Sequence, residues 1–167
     1  LRGRKIRVQN SDVFVAMVDA LGGDATPMNY GEVYGALLQG VVDGAENNAP
    51  SYESSRHFEA AKFYSLTRHV MAPEVLVMSK RRWDKLDSDA QALLYAVATE
   101  SVRVMQDLWA QREAESQARL RANGVTFVDD LDREAFEASI APVWERFLKT
   151  PALRTLAQDI RAMGTPL

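Results

Sequence analysis

The sequence predicts an α/β fold, and three features of the chain carry that prediction. Over residues 1–47, short extended segments alternate with helical segments, as they do in a parallel α/β unit. A single helical pattern later runs for about 35 residues, roughly 50 Å if straight, which is more than one compact domain of this size needs. The composition, 47% hydrophobic and 26% charged, provides enough apolar side chains for a core and excludes a disordered chain.

The first part of the chain supplies the strands and helices of this α/β unit. Gly22 and Gly40 each follow a helical segment, as residues that end helices do. Ser11 is placed to cap the first helix. In order, the predicted elements are a strand at residues 5–8, a helix at 12–21, an extended piece at 25–28, a helix at 30–39 and a buried strand end at 41–43.

The rest of the chain is predicted to be mainly helical. Its elements are a helical turn at residues 58–61, strands at 63–69 and 75–78, the long helix from Ser88 to Gly124, a strand at 125–128, a helix at 133–149 and a last helix at 152–163 closed by Gly164. Ser88 and Gln91 have the spacing of a capping box. The long helix is apolar up to Trp109 and polar beyond it, which predicts a packed first half and a solvated second half. A spine shared by two lobes, or a kinked pair of helices, suits this asymmetry.

Composition and motifs exclude several classes of function. The formal net charge of −3 argues against nucleic acid as a partner, because nucleic-acid binding normally needs a basic face. The absence of cysteine excludes disulfides, thiolate nucleophiles and cysteine-bound metals. There is no nucleophile elbow and no phosphate-binding glycine loop, and His57 and His69 lack the spacing of metal ligands. The sequence therefore predicts no catalytic residue, no metal ligand and no cofactor.

Three polar features remain as candidates for binding. Arg7 lies between two apolar strand residues, so its side chain projects from the opposite face of the sheet. Spacing alone favours an exposed arginine on an edge strand, but a guanidinium in a cleft that grips a carboxylate fits the same pattern. The loop at residues 43–48 follows a buried strand, where α/β folds bind ligands, and an ordinary turn fits it equally well. The third feature is a set of aromatic residues that either pack in the core or line a cleft: Tyr30, Tyr34, Tyr52, Phe58, Phe63 and Tyr64.

Three short blocks of sequence occur in an order and at a spacing typical of one family. They are GRKIRV at residues 3–8, TPM with GEVYGALLQG across 26–40, and VDGAEN at 42–47. Together they resemble the DctP-type solute-binding proteins of tripartite ATP-independent periplasmic (TRAP) transporters, in their C-terminal half. The resemblance continues through SLTRH at 65–69, PE at 73–74 and the long helix, and covers essentially the whole chain.

The resemblance implies a periplasmic-binding-protein-like receptor, in which two α/β lobes close around a small organic acid. The receptor is not an enzyme and delivers its ligand to the TRAP permease subunits in the membrane. Arg7 falls on the family's strand arginine, which pairs with the ligand carboxylate, and Asn47 falls on an asparagine that contacts the same end of the ligand. The remaining ligand-binding positions implied by the resemblance are Tyr30, Asn10, Glu46, His69 and Glu74.

The resemblance also narrows the chemical class of the expected ligand. NNAPSY at residues 47–52, with FYSLT at 63–67 and PE at 73–74, is similar to the branch that binds uronic or other sugar acids. Glu74 offers sugar hydroxyls an acceptor. The alternative is an α/β enzyme that uses Asp43 and Glu46 as an acid/base pair on a carboxylate substrate. A third possibility is a domain that binds only other proteins.

The resemblance further implies how the chain divides between the lobes. Residues 1–70 are expected to form most of lobe 2, the ligand-binding α/β lobe, and residues 71–110 to return to lobe 1 with the first part of the long helix. Residues 111–139 are expected to form a second segment of lobe 2, and residues 140–167 the C-terminal helices on lobe 1. Because the chain starts at Leu1 inside the family pattern, we expect a missing N-terminal portion, a removed signal peptide and a periplasmic location.

Overall fold

The computed structural model describes residues 1–163 and begins with a three-stranded parallel sheet. Strand β1 (Lys5–Val8) is central, with β2 (Asp24–Pro27) on one side and β3 (Gly44–Ala45) on the other. Arg7 is in register with Thr26 on one side and with Ala45 on the other. Parallel neighbours need crossover connections, and helices α1 (Asp12–Ala20) and α2 (Val33–Leu38) provide them. The predicted α/β unit is confirmed.

A second, two-stranded sheet joins distant parts of the chain. Strand β4 (Phe63–Ser65) pairs in parallel with β5 (Thr126–Val128). Hydrogen bonds extend the pairing at both ends, from the Thr126 N–H to the Lys62 carbonyl at 2.9 Å and from the Leu66 N–H to the Val128 carbonyl at 2.8 Å. The chain therefore leaves this sheet after β4 and returns to it only after the long helix.

The remaining helices follow the sheets in the described part of the chain. They are α3 (Ala49–Ser54), α4 (Lys80–Trp83), α5 (Ser88–Ala122), α6 (Arg133–Phe147) and α7 (Pro151–Met163), with 3₁₀ turns at Tyr30–Glu32 and His57–Glu59. The long helix α5 is continuous over 35 residues. Its cap is Asp87, whose side chain accepts from the Ala90 N–H at 2.8 Å, while the Gln91 amide donates to the Trp83 carbonyl. The capping box predicted at Ser88 and Gln91 is therefore wrong. Gly164, which the sequence predicts to close the last helix, lies outside the described residues.

Three other local predictions are wrong within the described residues. In each case the reason is that a strand exists only where its backbone is hydrogen-bonded to a neighbouring strand. Residues 75–78 form no strand among the described residues, and Val75, Leu76 and Val77 are more than three-quarters exposed. The strand predicted to reach His69 ends at Ser65, because the Thr67 N–H turns back to the Ser65 carbonyl. The strand end predicted at residues 41–43 lies one residue later, at β3.

The core lies in two places. In the α/β unit of the three-stranded sheet, Val8, Val18, Val33 and Val42 are at most 2% exposed. The second cluster consists of Ala49, Tyr52, Leu120 and Val125, with Phe58, Tyr64 and Phe127 packed against it. This second cluster binds α3 to the last turns of α5 and so secures the loop before α3.

The burial of the long helix differs in part from the prediction. Its buried residues, Ser116 and Leu120, lie in the polar second half, where α3 packs against the helix, and most other residues of that half are exposed. The apolar stripe of the first half is at least 39% exposed at Leu94, Val97, Val104, Met105, Leu108 and Trp109. Within the described residues, the predicted packing of the first half is therefore not observed, whereas the second half is exposed as predicted except where α3 meets it.

Candidate ligand-binding site

Arg7 is buried at the centre of the parallel sheet. Its residue is 5% exposed, and its Nε and Nη2 donate hydrogen bonds to the Met28 carbonyl at 3.1 and 2.9 Å. The exposed edge-strand arginine that spacing favoured is wrong, because β1 has a strand on each side. A guanidinium carries five N–H groups, so three remain after the two bonds to Met28. These three N–H groups belong to a positively charged guanidinium, so they suit an anion.

Tyr30 lies beside Arg7 at the start of a 3₁₀ turn. Its ring centroid is 5.9 Å from the guanidinium carbon, and its hydroxyl donates to the Ser51 carbonyl at 3.1 Å. The residue is 46% exposed, so one part of the ring faces solvent next to the arginine. Asn29, just before it, begins the turn with a reciprocal capping box with Glu32. The structure therefore places Tyr30 next to Arg7.

Glu46 and His69 form a pair at the edge of this site. The Glu46 Oε2 is 3.9 Å from the His69 Nε2, and the His69 Nδ1 lies 2.6 Å from the Thr67 hydroxyl. Burial raises the pKa of Glu46, and the positive charge of Arg7 acts in the opposite direction. Burial lowers the pKa of His69, so its imidazole is neutral near pH 7. A neutral ring with its proton on Nε2 suits both neighbours, since Nδ1 can then accept from Thr67.

Asn47 connects the site to the second sheet through its backbone. Its carbonyl accepts a hydrogen bond from the Tyr64 hydroxyl at 2.9 Å, and its side-chain Oδ1 accepts the Asn48 N–H at 2.9 Å. Asn48 in turn caps α3 by accepting the Ser51 N–H at 2.8 Å. The Asn47 amide nitrogen thus remains as a possible donor beside Glu46.

Two predicted site residues lie apart from this group. Asn10 is exposed and lines a shallow cavity of about 500 Å³ with Asn29 and Glu32, and Arg7 is not among the lining residues. Glu74 is exposed, in a segment without regular secondary structure, and no hydrogen bond or ion pair joins it to another residue within 1–163. The structure thus brings together Arg7, Tyr30, Glu46, Asn47 and His69, and separates the other two.

The acid/base pair of the alternative interpretation does not form. The Asp43 carboxylate accepts a hydrogen bond from the Lys5 N–H at 2.8 Å and lies 3.7 Å from the Arg4 guanidinium. These two contacts hold the start of β1 in place. Glu46 contacts His69 instead. Within residues 1–163, no group of three or more acidic, histidine or cysteine side chains could hold a metal ion.

Sequence analysis did not name His57 among the candidate binding residues, although its ring packs next to that of Tyr30. It is 3% exposed, and its ring centroid is 5.6 Å from that of Tyr30. Burial lowers the pKa of His57, and the Arg7 cation lowers it further. No linear signal connects the two, because 50 residues of chain separate His57 from Arg7.

The fold and this site define an α/β module built around a buried arginine. The chain belongs to the DctP family, the bacterial extracellular solute-binding proteins of family 7, which matches residues 1–150. The family resemblance of the sequence blocks is confirmed.

Individual relatives support this assignment. The chain is similar to a TRAP periplasmic solute-binding protein from Bradyrhizobium sp. BTAi1, solved in complex with α/β-D-galacturonate, at 51% identity and a TM-score of 0.88 over 98% of this chain and 54% of that one. A similar protein from Roseobacter denitrificans, solved with β-D-glucuronate, gives 43% identity and a TM-score of 0.91 over 98% and 54%. A solute-binding protein of Chromohalobacter salexigens is 41% identical over 162 residues, which are 96% of this chain and 48% of the relative.

These comparisons decide two further points. The relatives and structural neighbours are solute-binding proteins and not enzymes, so the enzyme alternative is not supported. Their fold is the predicted two-lobed fold, and this chain spans about half the length of the relatives it matches. No helix in residues 1–163 is long and apolar enough to cross a bilayer.

Proposed function

We propose that the protein containing this chain is the extracytoplasmic solute receptor of a TRAP transporter. It binds a small organic acid in the periplasm and delivers it to the membrane permease subunits. The family assignment supports the receptor role, and the relatives solved with uronates support a sugar acid as the ligand. Because this chain spans about half of those relatives, the proposal includes an N-terminal portion that completes the ligand site.

The buried guanidinium of Arg7 is the observation that carries the proposal. The Met28 carbonyl accepts two of the five N–H groups of this arginine, which is 5% exposed, and three remain for a ligand. A ligand carboxylate would accept the others as a fork, at about 1.5–3 kcal/mol for each charge-assisted hydrogen bond. The site is pre-formed, since the two bonds to Met28 fix the guanidinium before the ligand arrives.

The neighbours of Arg7 are assigned roles by their chemistry. The Asn47 amide donates to the carboxylate end of the ligand, and the exposed part of the Tyr30 ring covers one face of the sugar. Glu46 and His69 together present an acceptor and a donor, which suit hydroxyl groups better than a second carboxylate. Glu74 lies in the segment proposed to return to the other lobe and contacts the ligand only when the two lobes close, whereas Asn10 lies on the same lobe as Arg7 and lines a separate cavity.

The division of the chain between the lobes belongs to the same proposal. Residues 1–70 and 111–139 form the ligand-binding lobe, and residues 71–110 and 140–167 pack on the other lobe. The exposed apolar side chains support this division, because most of them lie within residues 70–109 and in α7. Ligand binding then closes the two lobes by a hinge motion.

A calorimetric titration of the full-length protein tests the proposal. D-galacturonate, D-glucuronate and the dicarboxylate succinate are titrated into the wild type, Arg7→Ala and Arg4→Ala. We expect a uronate to bind the wild type, and Arg7→Ala to lose two to four decades in affinity, because removing one partner of a buried pair costs about 3–5 kcal/mol. Arg4 is the matched control, since its side chain is 67% exposed. Near-wild-type affinity in Arg7→Ala would contradict the assignment of the site, and preference for succinate would contradict the sugar acid.

A further inference from the structure

The Tyr30 ring is fixed from several sides, although almost half of the residue is exposed. Its hydroxyl donates to the Ser51 carbonyl at 3.1 Å, and its ring centroid lies 5.9 Å from the guanidinium carbon of Arg7. A third neighbour is His57, whose ring is tilted by 59° to that of Tyr30 at a centroid distance of 5.6 Å. Because the hydroxyl is already used by Ser51, the ring itself is what Tyr30 offers to the arginine site.

His57 is built rigidly into the fold. It is 3% exposed and begins the 3₁₀ turn His57–Glu59, which follows Arg56 in the left-handed conformation at φ 60°. Glu59 secures this turn, because its carboxylate accepts from the Arg56 guanidinium and, at 2.8 Å, from the Tyr34 hydroxyl on α2. A ring placed in this way cannot move aside without disturbing α2.

A flat, uncharged ring suits this position for a physical reason. Burial and the nearby Arg7 cation both disfavour a protonated His57. A neutral imidazole packs edge or face against Tyr30 without repelling Arg7 or competing for an anion. A cationic side chain in the same place would repel Arg7 and would compete with it for an anion.

We propose that His57 is a positioning residue for ligand binding, whose buried ring holds the Tyr30 ring in place beside Arg7. The inference rests on the proposed receptor function and deepens it. Met28 holds one edge of the guanidinium, and the Tyr30 ring centroid lies 5.9 Å from the guanidinium carbon. Without His57, Tyr30 gains freedom, and the site has to be ordered again each time a ligand binds.

A double-mutant cycle on the full-length protein tests this inference. The affinity for D-galacturonate is measured by calorimetry at pH 8 in the wild type, His57→Ala, Tyr30→Ala and the double variant. We expect His57→Ala to weaken binding about tenfold in the wild-type background and less than about twofold in the Tyr30→Ala background, since the effect passes through Tyr30. His57→Phe, which keeps a flat uncharged ring, should recover most of the lost affinity.

The outcomes separate this inference from the receptor function. Binding by the wild type reports on the function, and the cycle reports on His57. Equal losses from His57→Ala in both backgrounds, or no loss at all, would overturn the positioning role while leaving the receptor intact. If the wild type binds no uronate, the receptor proposal fails first and this inference fails with it. Should His57→Ala not fold, His57→Leu fills the space without a flat ring and takes its place in the cycle, with the same expectations.

Discussion

The Tyr64 hydroxyl donates a hydrogen bond to the Asn47 carbonyl at 2.9 Å, and this bond joins the second sheet to the loop that carries the proposed ligand site. The Tyr64 ring lies 5.1 Å from Tyr52 and 5.2 Å from Phe127, measured between centroids. Burial raises the pKa of Tyr64 to about 12, so the phenol keeps its proton and remains a donor at physiological pH. The position of Asn47 therefore depends on a residue of the core cluster.

Tyr64→Phe is expected to weaken uronate binding and to lower the free energy of unfolding. The ring packing stays, but the Asn47 carbonyl loses its donor, which costs about 1 kcal/mol. Calorimetry should show a fall in affinity of about fivefold, and urea denaturation a matching loss of stability. Tyr95→Phe is the control, because Tyr95 is 72% exposed on α5. Equal behaviour of the two variants would contradict the link between Tyr64 and the site.

The elements that sequence predicted correctly are those that local pattern decides. Strand β1, helix α1 and the 35-residue helix α5 each follow from periodicity and from end signals such as Gly22, which has φ 81°. The strand predicted at residues 75–78 shows where pattern is insufficient. Its apolar residues fit a strand, but a strand also needs a hydrogen-bonded neighbour, and none pairs with it among residues 1–163.

The residues of the candidate site also fall into those that the sequence indicated and those that only the structure reveals. Arg7 and Asn47 stand in the sequence blocks that carry the family resemblance, and Tyr30 lies between two parts of one block, so all three could be named as candidates from the sequence. His57 carries no such signal, since its contact with Tyr30 depends on how the 3₁₀ turn after Arg56 folds back onto the sheet. Residue spacing could not predict the burial of Arg7 either, because the alternation of apolar and polar residues in β1 is the same for an edge strand and a central strand.

Protonation of two histidines should destabilise the protein in mild acid. The pKa values of His57 and His69 are both lowered by burial from the ordinary 6.5, so the unfolded state takes up protons that the folded state excludes. Stability is therefore unaffected well above pH 6.5 and falls as the pH drops below it, by at most about 1.4 kcal/mol per histidine at pH 5.5. Glu46, whose pKa is raised, acts in the opposite direction, since its neutral form is favoured in the folded state.

Chemical denaturation at pH 7.5 and pH 5.5 measures this loss. His57→Phe and His69→Gln should each reduce the difference between the two pH values, and the double variant should reduce it most. A wild type with the same free energy of unfolding at both pH values would contradict the expectation, as would variants that keep the full difference.

Glu53 joins α3 to the second half of α5. Its carboxylate accepts hydrogen bonds from the Arg119 guanidinium, one of them at 3.2 Å, and lies 3.3 Å from Arg112. These hydrogen bonds hold the pKa of Glu53 below its ordinary value. Glu53→Gln should lower the free energy of unfolding by roughly 1 kcal/mol, because the pair is partly exposed to solvent. Glu100→Gln, at an exposed position on α5, is the control, and an equal effect of both variants would show that Glu53 adds nothing beyond a surface charge.

The two halves of α5 should differ in amide hydrogen exchange when residues 1–167 are studied by themselves. In the second half, Ser116 and Leu120 are fully buried against α3, so opening there requires breaking the core cluster. In the first half, Leu94, Val97 and Leu108 are 44–58% exposed, and tertiary contacts add little protection. Amides around residues 92–108 should therefore exchange at least about tenfold faster than those around 114–120. In the full-length protein the first half should become protected, because the proposed second lobe covers its apolar stripe. Equal exchange along α5 in the 167-residue chain, or no added protection at full length, would contradict the proposed division at residue 110.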